Sequence, residues 1–174
     1  MSISIYAASA PMFATMLNNL NALLDKAEAN AKERGFDVGV LLQSRLAPDM
    51  FTLIGQVQLA TAFAKNTMCR LAGANAAELR RRRTTLPQLR DRIARALDIV
   101  QSISEADLEG AEKREVTFNV GPDAKMTVSG ADYLFRFALP NFYFHVTTAY
   151  DILRHNGVVL SKKDFLAGTM KLPG

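Results

Sequence analysis

Apolar residues recur three and four positions apart in four separate stretches of this 174-residue chain, and that repeat constrains the fold more than any other feature. In the first stretch, roughly 5–34, Phe13, Met16, Leu17, Leu20, Leu23, Leu24, Ala27 and Ala31 line one face of a helix, and Gly35 is a natural stop. Pro11 either begins the regular part or kinks an earlier turn. The connection "FDVGVLLQSRLA" shows no clear period. A second helix is predicted to start at "APDMF": Pro48 suits the first helical position, where its missing N–H has no partner anyway, and Asp49 meets the positive end of the helix dipole. Met50, Leu53, Ile54, Val57, Ala60, Ala64, Met68 and Leu71 carry its stripe, and Gly73 ends it. The third helix opens on "TTLPQL", with Thr85 as cap and Gln88 completing a capping box, and runs through Leu86, Leu89, Ile93, Leu97 and Val100 to near Ser102. The last begins at Ser129, has Asp132 at capping-box distance, covers 130–155 and ends at Gly157.

Between the third and last helices the period changes. Val116, Phe118 and Val120 alternate with polar residues, as do Met126 and Val128 beyond a Gly-Pro-Asp turn, which predicts a short hairpin. The expected fold is therefore all-α: a four-helix bundle in one domain, 1–174, with a β-hairpin inserted before the last helix. This length buries a core without disulfides or metal. Pro140 falls inside the last helix, where it removes a donor and crowds the carbonyl of Arg136, so a bend is expected near 136–140. Packing must offset about 3 kcal/mol for that proline.

The formal net charge is +4, and "RRRRTTLPQLRDRIAR" holds Arg80, Arg81, Arg82, Arg83, Arg90, Arg92 and Arg95 against one acid, Asp91. Such a run can attract nucleic acid or anionic membrane, but no aromatic platform accompanies it, so nucleic acid is not expected and a solvated basic face is. The single cysteine, Cys69, excludes an internal disulfide framework and a cysteine-rich zinc cluster. The start "MSISIYAASAPMFATML" lacks a basic region, and no stretch reaches the roughly 20 apolar residues of a membrane span. A cytoplasmic location without a membrane span is expected.

Chemistry concentrates in "FALPNFYFHVTTAYDILRHNG", residues 137–157, which holds both histidines. Asn141 and His145 stand one helical turn apart on the core-facing side, in register with Leu134, Phe137, Ala138, Thr148 and Ile152. His155 is rotated off that face and sits in the last turn, where a cation favours the helix end. Two readings stay open. In one, Asn141 and His145 form a buried network with each other, with Asp49 or with backbone freed by Pro140. In the other, His145, Asn141 and Asp49 hold a divalent ion, although an amide is a poor transition-metal ligand. His145 beside a carboxylate also has the makings of a general base. Cys69 lies on or beside the stripe of the second helix and reads as a buried, inert thiol. Tyr150 and Asp151 belong to a helix surface or a partner interface. No Ser-His-Asp arrangement, phosphate-binding glycine loop or dinucleotide fingerprint is present.

The opening "MSISIYAASAPMF", the segment "LAPDMF" and above all "FALPNFYFHVTTAYDILRHNG" resemble an uncharacterised bacterial family of about this length. It is grouped within the DinB/YfiT-like superfamily of four-helix-bundle metalloenzymes. The resemblance spans nearly the whole chain and is weakest in the arginine-rich loop and "GTMKLPG". It implies a DinB-like bundle, a homodimer, and a divalent-metal position (zinc or nickel) made from one histidine of the second helix and a His-x-x-x-His pair of the last. On this chain that pair becomes Asn141 and His145; the second helix offers no histidine, and Asp49 is its nearest polar candidate. Some relatives are thiol-dependent transferases or isomerases. The resemblance thus implies an altered metal site read as a polar pocket for a small molecule. The alternatives are a metal- or thiol-dependent transferase or isomerase in that pocket, and a non-enzymatic dimeric module using Arg80–Arg83.

Overall fold

The first stripe folds as α1, Ile5–Glu33, in a computed structural model that describes residues 3–74, 84–121 and 123–169. Ser4 caps it by accepting from the N–H of Ala7 at 3.1 Å, and Pro11 falls inside the helix. All eight apolar residues of the predicted face are buried. The patternless connection contains a short helix, α2, Gly39–Gln43, which buries Leu41 and Leu42.

The second long helix, α3, is Leu53–Leu71 and starts later than the sequence suggests. Pro48 and Asp49 lie in a turn before it, and the cap is Thr52, whose hydroxyl accepts from the N–H of Gly55 at 3.4 Å. The reason is tertiary: the first free N–H of α3, that of Leu53, is taken by the carbonyl of Ser44 at 2.9 Å, so the loop after α2 fixes where α3 begins. The third, α4, is Leu86–Ser102 and has the expected Thr85–Gln88 capping box. The basic face is not uniformly solvated. Arg92 is 4% exposed and donates to the Thr61 hydroxyl at 2.7 Å, while Arg90 pairs with Asp25 and Glu28 of α1, both at 2.7 Å. Arg80–Arg83 lie outside the described residues.

A 3-10 turn, Ala106–Leu108, leads to the hairpin of β1, Glu115–Asn119, and β2, Lys125–Ser129, paired antiparallel with Phe118 opposite Met126. Val116 and Phe118 are buried as their alternation requires, whereas on the outer strand β2 Met126, opposite Phe118, is 47% exposed and Val128, opposite Val116, packs only partly buried against the core. The Phe118 ring lies 4.4 Å from that of Phe137 and 4.9 Å from that of Tyr133, which docks the hairpin on the last helical segment.

That segment comprises α5, Gly130–Asp132, a π-helical turn, Tyr133–Ala138, and α6, Leu139–His155. Ser129 caps it through the N–H of Asp132 at 3.1 Å, while its own hydroxyl donates to the Asp132 carboxylate at 3.0 Å. In place of a simple bend the chain widens before Pro140. The N–H of Leu139 reaches back five residues to the carbonyl of Leu134, and the next residue has no N–H to give. Phe135 and Arg136, four residues before Leu139 and Pro140, are both exposed.

The four long helices make a bundle: α3 packs on α6 and α4, and α1 closes against α4 and α6. Phe13 of α1 meets Phe142 of α6 edge-on at 4.8 Å. A short α7, Lys162–Phe165, lies along α1, held by a Lys26–Asp164 ion pair of 2.6 Å and by the Asn19 side chain on the Phe165 carbonyl at 2.9 Å. No helix among the described residues is long and apolar enough to cross a membrane.

Candidate functional site

His145 sits in the middle of α6, facing α3, and is 7% exposed. Its partner is Gln56 of α3, whose Oε1 lies 2.8 Å from Nδ1. The Gln56 amide nitrogen donates to the carbonyl of Phe51 at 3.3 Å, and this orients the amide. Its oxygen must therefore face the imidazole, and an amide oxygen only accepts. Nδ1 carries the proton, and Nε2 keeps its lone pair with no hydrogen-bond partner among the described residues. Phe63 stacks on the ring at 5.6 Å, and Phe144 meets it edge-on at 5.4 Å. Burial pushes the pKa of His145 down to about 4, so the ring is neutral at pH 7.

Asn141, one turn earlier, donates its amide nitrogen to the Phe137 carbonyl at 2.7 Å. It is bonded to the backbone at the proline-interrupted turn and not to His145. Asp49 is exposed in the turn before α3, and no hydrogen bond joins it to His145 or Asn141 among the described residues. As a metal centre this arrangement offers one open imidazole nitrogen, one amide already engaged, and a carboxylate outside the network. No group of three His, Cys, Asp or Glu side chains among the described residues is placed to hold an ion. Such a donor set does not fit zinc or nickel, which take at least three strong N, S or O ligands from the protein.

The residue missed by sequence reasoning is Gln56. Its signal was present, because it stands on the apolar stripe of α3, three residues after Leu53 and four before Ala60. A polar side chain on such a stripe must be paired. His155 ends α6 as an exposed residue, but the side chain that bonds a terminal carbonyl is Asn156, through the oxygen of Ile152 at 2.7 Å. Cys69 is 6% exposed, and burial raises its thiol pKa against the opposing pull of Lys65 and Arg70. Tyr150 is half-buried against Phe165 at 5.9 Å, Asp151 is exposed, and burial raises the pKa of Tyr143.

Replacing Gln56 with Leu is expected to lower stability by about 1–3 kcal/mol, because it strands the Nδ1 proton of His145 in the interior. Urea unfolding checks this. A double substitution, Gln56→Leu with His145→Leu, is expected to recover part of the loss, since both polar partners leave together.

Residues 5–166 match the family described as "Domain of unknown function (DUF1993)". Among solved structures, a DinB family member protein from Shewanella denitrificans is 44% identical, with a TM-score of 0.89, covering 97% of this chain and 96% of that one. No curated protein matches the chain.

Proposed function

The chain belongs to the family described as domain of unknown function DUF1993, and from that premise we propose that it is a metal-independent binding protein whose His145 receives a hydrogen bond from a small molecule. The observation that carries this reading is the Gln56–His145 pair: it holds Nδ1 as a donor and leaves Nε2 as an acceptor. Around the ring, Phe63 and Phe144 supply aromatic surface, and Phe144 is 55% exposed. A neutral donor, an O–H or N–H on an apolar body, suits a neutral acceptor among aromatic side chains. His145 is uncharged at pH 7, so it has no proton at Nε2 to give as an acid. The homodimer and the cytoplasmic location belong to the same proposal, and sedimentation at twice the chain mass tests the first.

Nitrogen-detected NMR of the His145 ring tests the site. Phenol is expected to move the Nε2 signal saturably, and anisole, which lacks the hydroxyl, is expected to leave it in place. Zinc chloride, added to protein purified without a histidine tag, is expected to bind no tighter than about millimolar at this ring. Stoichiometric zinc binding at micromolar concentration, abolished by His145→Ala, overturns the metal-independent reading; equal responses to phenol and anisole overturn the acceptor.

A further inference from the structure

We propose that a second, separate site binds an organic cation, a primary ammonium carried on an aryl or short alkyl body. A cleft of about 510 Å³ opens between the N-terminus of α1, the 3-10 turn after α4 and the start of α5. Small-molecule sites span roughly 300–1,000 Å³, so the space suits such a ligand. The cleft does not include His145 or Gln56.

Its chemistry is divided between apolar and acidic lining residues. Ile5 and Leu108, both buried, line the cleft together with Tyr6 and Phe135. Phe135 is 52% exposed, an aromatic side chain left uncovered where the cleft opens. The charged side chains lining the cleft are Glu105, Glu109 and Glu112, with no lysine or arginine among the described lining residues. Glu105 is explained locally: it accepts from the Ser4 hydroxyl at 2.9 Å, beside the positive end of α1. Glu109 and Glu112 have no such explanation, because neither carboxylate makes a hydrogen bond or ion pair among the described residues. Two uncompensated carboxylates repel an anion and attract a cation. The apolar and aromatic lining residues take the body of the ligand.

Titration of 2-phenylethylammonium into the ¹⁵N-labelled full chain, followed at the amides of Gly110 and Ala131, tests this site. Phenylacetate and 2-phenylethanol share its body but not its charge. Saturable shifts with the ammonium are expected at about millimolar concentration, with binding about tenfold weaker for the alcohol and none for the acid. The Glu109→Gln, Glu112→Gln double variant, altered only at exposed positions, is expected to lose about tenfold in affinity with its thermal midpoint unchanged. If that variant is destabilised, Phe135→Leu in its place is expected to weaken binding. No saturable response to the ammonium, equal responses to the three probes, or full affinity in a folded variant overturns the proposal.

Discussion

Gly130→Ala is expected to lower the folding free energy by about 3 kcal/mol, seen as a large drop in the urea midpoint. Gly130 opens α5, and its N–H donates to the carbonyl of Arg114 at 2.8 Å while that of Ala131 donates to Glu112 at 3.1 Å. These bonds press the loop before the hairpin against the helix start. A Cβ on residue 130 would overlap the carbonyl oxygen of Ala111 and lie 3.1 Å from Leu71 Cδ2. Helix propensity argues the other way, since alanine is better than glycine by up to about 1 kcal/mol. The overlap wins because a backbone oxygen held by its neighbours cannot rotate aside as a side chain can. Gly35 is the contrast: its φ is +71° and nothing lies within 4 Å of a Cβ, so Gly35→Ala is expected to cost only about 1–2 kcal/mol of backbone strain. If Gly130→Ala proves as mild as Gly35→Ala, the loop yields, and α5 is not pinned as described.

Where signals are local, the sequence carried them. The Thr85–Gln88 capping box spans four residues and forms as read, and the buried pair Val116 and Phe118 follows from strand alternation alone. The start of α3 was not legible in this way. Pro48 with Asp49 and Thr52 are both good opening signals, and the choice between them lies with Ser44, whose carbonyl reaches Leu53 from another element. The site shows the same division. The register that puts His145 on the inner face of α6 is local, while its partner lies 89 residues away and depends on how α3 and α6 slide past each other. Periodicity marks Gln56 as a polar side chain that needs a partner, but only packing shows that the partner is His145. Asp49 comes near the site only if the helix starts at Pro48, and the tertiary structure places that start five residues later, at Leu53. Pro140 was read correctly as a disturbance, but its form depends on Leu139 finding the carbonyl of Leu134 instead of Phe135.

Stability is expected to fall by about 3 kcal/mol as pH drops from 7 to 4, and most of that slope is expected to vanish in His145→Gln. In the unfolded chain the imidazole titrates near 6.5, whereas burial holds the folded ring down to about 4. Between those values the unfolded state binds a proton that the folded state does not, so acid favours unfolding there. The contribution of the neutral ring is complete above 6.5, declines through the window and is gone below about 4. At 7% exposure, solvent screening does little to reduce it. Asp164, whose carboxyl is held below its ordinary value chiefly by hydrogen bonds from Lys26 and the Ser161 N–H, adds a separate loss at the acid end of the window and below it. Glutamine at 145 keeps a donor for Gln56 but carries no titrating group, so subtracting the two urea-derived stability curves isolates the ring. A difference curve that stays flat between pH 6.5 and 4 would mean that the imidazole charges freely while folded. That result would place Nε2 in water, and with it the acceptor would lose the desolvation on which its proposed preference for a neutral donor depends.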